Sequence, residues 1–350
     1  FYVAKGAVPM DNFEKILEGY KSMGDDIIPF VFNGGIPHEQ LSPFGLIMEI
    51  VNNNGEADQY FATEAYREAL EWMARLYAKG LVDQEFPTQD RTVWWDKVNT
   101  GKAGYFPQSS NALNSWAIGR PPLSIWEVNP DAKILLTPGV GDSAGNYVSR
   151  DYIAPICNGQ TFFVNADVTD EGKLIKILEL FEYSNFPGDT ETLATFVFGK
   201  QDVDWEWSTD KENWPVPIGA KDPHTNGAMT FCSQMQVTDY WQWLTIQPLY
   251  EAGGKYYVKY LGGIYNDHQV MPYTYDLFNE TNLTEVKKDY WDTVNTVHSQ
   301  FRNSVIMGDI KMTNATWEKY LADLNAAGYQ HLRAEYNAAP VVSDLIEKYK

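Results

Sequence analysis

The chain has 350 residues, 44% of them apolar and 15% aromatic, more than one compact core commonly organises, which favours two lobes. Its 47 Asp and Glu against 27 Lys and Arg give a formal net charge of −20, which repels phosphate backbones and anionic lipid heads and so disfavours nucleic-acid and membrane-surface partners. Two cysteines, Cys157 and Cys232, make neither a disulfide scaffold nor a zinc ribbon; they read as two buried thiols, or as one disulfide in an oxidising compartment.

In chain order, Asp11 and Glu14 have capping-box spacing, and Phe13, Ile16, Leu17 and Tyr20 share one helical face before Gly24. Ile27–Phe32 is a short strand interrupted by Pro29, far below the length of a membrane span. A second helix runs from about Thr63 to Gly80, with Tyr66, Ala69, Leu70, Met73 and Tyr77 as its apolar stripe. Trp94 and Trp95 fall on a helix before Gly101 and are expected to pack inside. Ala103–Phe106, Ile134–Leu136 and Thr161–Val164 are further short strands. A helix after Thr169 turns Leu174, Ile177, Leu178 and Phe181 inward and carries Asp170 and Glu171 in its first turn. A helix from Asn282 buries Val286, Tyr290, Val294, Val297 and Phe301, and the last carries Trp317, Tyr320, Leu321 and Leu324 before Gly328. Alternating strands and helices argue an α/β class. Long stretches rich in Trp, Asn, Pro and Gly lie at 107–131 and 184–274, and loops of that length are usually functional.

The familiar catalytic and metal patterns are missing. Histidines at 38, 224, 268, 298 and 331 are scattered, with no His-Glu-x-x-His and no cysteine at metal spacing. Gly139 to Gly145 lacks the Gly-Lys-Ser/Thr of a phosphate loop, so a flexible crossing between lobes is expected there. Asp202, Asp204 and Glu206 alternate with Val203, Trp205 and Trp207, as on a two-faced strand; a calcium loop would need glycine where Trp207 stands. No metal and no other cofactor is expected.

Five segments, in order, carry a resemblance: "VPMDNFEKILEGYKSMGDDIIPF", "YREALEWMARLYAKGLVDQEF", "VNTGKAGYF", "FVFGKQDVDWEW" and "WEKYLADLNAAGYQHLRAEYNAA". Together they resemble the family 1 extracellular solute-binding proteins of ABC importers, in the long lipoprotein-type, carbohydrate-binding branch. Relatives often hold calcium in an acidic loop before the Ile-Pro strand. Here Lys21 to Asp26 is too short to supply the ligands, so no metal is carried over.

The resemblance implies a two-lobed α/β fold of the type 2 periplasmic-binding-protein kind, with a hinge and an incomplete first lobe, since members are usually longer. Residues 1–140 would form the second lobe, 141–235 would return to the first, and 236–350 would complete the second and pack helices against the hinge. The implied function is capture of an oligosaccharide and delivery to an ABC permease, without catalysis, by a monomer. The protein would be extracellular and anchored to a bacterial surface as a lipoprotein, its leader not part of these residues. A polysaccharide-cleaving hydrolase and a peptide importer subunit are the alternatives.

A sugar offers apolar C–H faces and a polar rim, which call for an indole face and for amides and hydroxyls. The loop leaving the Ala103–Phe106 strand supplies Gln108, Ser109 and Asn111 in the place where α/β sheets bind ligands. By the resemblance, Trp116 stacks on the sugar; otherwise it packs beneath the loop. Tyr240 and Trp241, with Trp243, and Tyr265 with Asn266 are two further aromatic clusters that belong either to the site or to the core.

Overall fold

A computed structural model of the protein describes residues 7–46, 48–107, 124–132, 134, 139–146, 164–185, 189, 191–192, 194–195, 199–207, 215–218, 281–341, 343–344 and 347. The chain divides into two compact units: Phe1–Pro107, Leu135–Pro155 and Leu261–Lys350 in one, Gln108–Ile134 and Ile156–Tyr260 in the other.

The first unit opens with β1 (Val8–Pro9), α1 (Met10–Lys21) and β2 (Ile28–Phe30). Pro9 is the N-cap of α1, and no side chain caps it. The Asp11–Glu14 box does not form because the helix starts at Met10, which places Asp11 inside the first turn. Phe13 and Leu17 are buried, whereas Ile16 and Tyr20 lie at the margin. A short α2 (His38–Leu41) precedes a hairpin of β3 (Ile50–Asn53) and β4 (Glu56–Gln59). Its turn residues Asn54 and Gly55 both have positive φ, 57° and 92°, the requirement of a tight primed turn.

Helix α3 (Glu64–Ala78) begins where expected, with Thr63 Oγ1 accepting from Tyr66 N at 3.3 Å. Its buried face is wider than the stripe read from sequence, adding Trp72 and Leu76 to Tyr66, Ala69, Leu70 and Met73. Helix α4 (Arg91–Asn99) is capped by Asp90, and Trp94 packs inside it with Trp95 half-buried. Strand β5 (Ala103–Tyr105) follows. In the second unit stand a short α5 (Ser124–Val128), α6 (Glu171–Asn185), and the antiparallel pair β7 (Trp205–Trp207) and β8 (Pro215–Pro217). Between α5 and α6 in sequence, β6 (Val140–Gly141) pairs in parallel with β1.

The first unit ends in three helices: α7 (Thr281–Met307), α8 (Asn314–Ala326) and α9 (Tyr329–Ala338). Val294 and Phe301 of α7 are buried as expected, together with Leu283, His298, Val305 and Ile306. Thr313 and Thr316 form the capping box of α8. Gly328, with φ 100°, breaks α8 from α9, and a side chain there would overlap the Tyr290 ring.

Helix α9 closes the exposed edge of β4 with side chains. Asn337 Oδ1 accepts from Ala57 N at 2.9 Å while Nδ2 donates to Ala57 O at 2.8 Å, so one amide takes the place of a neighbouring strand. Gln59 Nε2 donates to Tyr336 Oη at 2.9 Å, and Gln59 N to Tyr329 Oη at 2.8 Å. The buried Asp58 carboxylate accepts from Tyr329 and pairs with Arg333 Nε at 3.3 Å. Burial is the main reason that the Tyr329 and Tyr336 phenols are pushed up, Tyr336 to about 12.

Two expectations in the second unit are corrected. Leu178 on α6 is 54% exposed and Leu174 and Ile177 are half-exposed, so this apolar stripe is not a core face among the described residues; the Phe181 side chain lies outside them. Val203 does not share a buried face with Trp205: it is 56% exposed, because residues 202–204 form a turn rather than strand. Residues 161–163 and 135–136 of two expected strands lie outside the described residues.

Candidate functional site

Strands β2 and β5 run in parallel, with Ile28 opposite Ala103 and Phe30 opposite Tyr105. On the other side of β2, Val82 bridges Phe30, also in parallel. Three chain segments therefore leave the sheet at one edge. The bonds Val31 N to Tyr105 O (3.0 Å) and Asp83 N to Phe30 O (2.9 Å) close it. Carboxyl edges of parallel strands are where open α/β sheets bind ligands.

A column of aromatic rings supports this edge from below. Tyr105 meets Phe13 edge-on at 4.8 Å and Phe30 at 5.4 Å, and Phe32 continues the column from Phe30 (4.8 Å) to Phe86 (5.4 Å). Ring pairs of this kind contribute about 0.5–1.5 kcal/mol each beyond the area they bury. The rings of Phe13, Phe30, Phe32 and Phe86 are buried and pack the core beneath the edge.

Polar groups are anchored on that platform. Gln40, fully buried on α2, donates from Nε2 to Tyr105 Oη at 3.3 Å, and its Oε1 has no partner among the described residues. Gln89 donates from Nε2 to Phe32 O, and its Oε1 is likewise buried without a partner among the described residues. Arg302, near the end of α7, lies against the loop that follows β2: a side chain at Gly35 would come within 2.9 Å of its Nη1.

Other polar clusters are satisfied internally. Lys97 Nζ bonds Asp83 Oδ2 at 2.7 Å and Glu85 Oε2 at 2.8 Å. Burial lowers the Lys97 pKa, but the two carboxylates outweigh it and hold the group above its ordinary value, so the ammonium stays charged. His298 stacks on Phe61 at 4.4 Å and approaches Tyr320 Oη with Nδ1 at 3.1 Å, while Tyr320 donates to Phe61 O at 3.2 Å. Burial first, and the Arg302 charge second, push His298 down to about 3, so its imidazole is neutral.

The acidic motifs singled out in the sequence close turns. Asp142 Oδ1 accepts from Ala144 N at 2.9 Å and Asn146 N at 2.7 Å, which occupies amides that a phosphate would need. Asp204 Oδ2 accepts from Lys200 N at 2.8 Å. Among the described residues, no group of three or more His, Cys, Asp or Glu is arranged to hold a metal ion, and no helix is long and apolar enough to cross a membrane.

Gln108, Ser109, Asn111, Trp116, Tyr240, Trp241, Tyr265 and Asn266 lie outside the described residues, as do Cys157 and Cys232. What the structure places is the strand that leads to the first four: β5 ends at Tyr105, three residues before Gln108. Sequence reasoning did not single out Gln40, Gln89 or Arg302, which carry no motif and come to this edge only through the fold.

No protein-family model matches the chain. Lipoprotein LipO of Bacillus subtilis is 29% identical over 108 residues, 27% of this chain and 22% of LipO. The chain spans 63% and 22% of the lengths of two curated relatives that it matches. Among solved structures, the ABC-transporter substrate-binding protein FusA of S. pneumoniae, in complex with kestose, aligns over 99% of this chain and 70% of its own, with TM-score 0.56 and 15% identity. The alginate-binding protein AlgQ2 aligns over 95% and 68%, with TM-score 0.51 and 18% identity. The chain therefore has the two-lobed α/β fold of these substrate-binding proteins. They are binding proteins rather than enzymes.

Proposed function

We propose that this chain is the substrate-binding component of an ABC importer, a family 1 solute-binding protein that captures an oligosaccharide and delivers it to a membrane permease. The observation that carries the reading is the fold, shared over 99% of the chain with a protein that binds kestose. The edge of β2 and β5 adds support, because open α/β sheets bind ligands beyond the carboxyl ends of parallel strands. Gln108, Ser109, Asn111 and Trp116 would continue that edge, and Tyr240, Trp241, Tyr265 and Asn266 would complete the site. The expected lobes, 1–140 with 236–350 and 141–235, would close on the sugar and shift an open–closed equilibrium that the permease reads. The protein would work as a monomer, outside the cytoplasm and lipid-anchored, without a cofactor and without cleaving its ligand.

The test is a thermal-shift screen of the whole protein against neutral and acidic oligosaccharides, followed by calorimetry and chromatography of the best ligand. Binding with the ligand recovered intact is expected. Cleavage products would favour a hydrolase, and stabilisation only by peptides would favour a peptide importer.

A further inference from the structure

An asparagine followed by glycine can modify itself. The glycine nitrogen attacks the asparagine side-chain amide, and the missing Cβ of glycine leaves that approach open. The reaction needs a side chain free to turn, and a backbone N–H that is not already committed to an acceptor. Two Asn-Gly pairs lie among the described residues, and the fold treats them differently.

Asn54 and Gly55 are held in the β3–β4 turn. Gly55 N donates to Asn52 Oδ1 at 2.8 Å, and Asn54 Nδ2 donates to Asn53 Oδ1 at 3.3 Å. The strands on either side pair Asn53 with Glu56 and Asn52 with Ala57, and Asn337 grips Ala57 from α9. Attack at Asn54 must first break bonds in a turn anchored on both sides.

Asn33 and Gly34 have none of this restraint. They lie in a bend just past the carboxyl end of β2, and Asn33 is exposed. Among the described residues, no group bonds the Asn33 side chain or Gly34 N. Gly34 has φ 76°, and the space where its Cβ would stand is open. The next residue, Gly35, lies against the Arg302 guanidinium. A nearby cation stabilises the negative charge that develops as the amide nitrogen attacks.

We infer that Asn33 is a self-modification site, deamidated by Gly34 N to aspartate and isoaspartate in the folded protein. Gly34 N gives its proton to hydroxide and attacks Asn33 Cγ. The new N–Cγ bond closes a cyclic imide as the Cγ–Nδ2 bond breaks, and Nδ2 takes up a proton and leaves as ammonia. Water then opens the imide at either carbonyl, with no oxidant or reductant. Each event puts a carboxylate in place of a neutral amide in the loop at the carboxyl end of β2, in a chain whose net charge is already −20. The inference is independent of what the protein captures.

The experiment incubates the whole protein at mildly alkaline pH, once folded and once unfolded in urea. Peptide mapping by mass spectrometry and isoaspartyl methyltransferase labelling then follow Asn33 and Asn54 with time. In the folded protein Asn33 should convert at least about ten-fold faster than Asn54, while in urea the two should convert at similar rates. Folding should slow Asn54 and leave Asn33 close to its unfolded rate. Conversion of Asn54 as fast as Asn33 in the folded protein overturns the inference. So does an Asn33 that folding protects at least about ten-fold, since the loop would then restrain it after all.

Discussion

Acid should weaken this protein in part through His298. The imidazole is 3% exposed, lies flat on Phe61 and is bonded through Nδ1 to Tyr320. Tyr320 spends its proton on Phe61 O, so the imidazole must carry its hydrogen on Nδ1 to donate to the phenol. Its pKa is lowered from 6.5 to about 3, first by burial and then by Arg302. The unfolded chain therefore takes up a proton near pH 6.5, and the folded chain does so only near pH 3. Between these values the unfolded state binds more protons, so stability falls as pH falls. The contribution is complete above about pH 6.5 and is lost progressively down to about pH 3. At pH 4.5, about two units below the unfolded value, the loss is roughly 2–3 kcal/mol at about 1.4 kcal/mol per unit. His298→Gln keeps a donor for Tyr320 and cannot titrate. Urea unfolding of both proteins, followed by tryptophan fluorescence at pH 7.5 and 4.5, isolates the effect from the many carboxylates that both share. The variant should be the less stable at pH 7.5, and the gap should narrow by about 2–3 kcal/mol at pH 4.5. A gap independent of pH would refute the reasoning.

Three further substitutions have worked expectations. Gly328→Ala should destabilise by about 2–4 kcal/mol, since it forces a left-handed backbone (φ 100°) on alanine and drives the methyl into Tyr290, which stacks on His331 at 4.6 Å; the measurement is the urea midpoint. Asn337→Ala removes both bonds to Ala57 and should cost about 1–3 kcal/mol, with faster amide exchange at Ala57 as the local signature. Trp116→Ala should weaken binding of the best sugar by about 2–4 kcal/mol, from losing roughly 80–160 Å² of an indole's contact area at about 25 cal/mol per Å², with the melting temperature kept. Unchanged affinity with a collapsed melting temperature would make Trp116 a core residue.

The fold is legible in the sequence where local chemistry decides it. Thr63 caps α3, and Tyr66, Ala69, Leu70 and Met73 are buried, because a cap and a 3.6-residue period are properties of one segment. The β3–β4 hairpin was not read, although Asn54-Gly55 is its turn signal. Strand β4 is Glu-Ala-Asp-Gln and shows no apolar alternation. Asp58 and Gln59 are buried only because Tyr329, Arg333 and Tyr336, some 270 residues away, bond them. Helix α6 shows the opposite limit. Its period identifies an apolar stripe correctly, but a period cannot say whether anything covers it, and Leu178 is exposed.

The site divides along the same line. The strand that leads to the expected loop was legible, because Gly-Lys-Ala-Gly enters a short strand, and β5 pairs in parallel with β2 there. Aromatic residues advertise a sugar site in sequence, since the stacking surface is the side chain itself. Polar contacts across the fold do not advertise themselves. Gln40 is one glutamine among many, and its meaning comes from an amide nitrogen held by Tyr105, 65 residues on, which leaves the oxygen fixed in place. Arg302 sits on a helix whose apolar stripe explains Val294 and Phe301. Its own place appears only when the loop after β2 brings Gly35 against it. A contact made across the fold is a property of the folded chain, and no period or motif within one segment announces it.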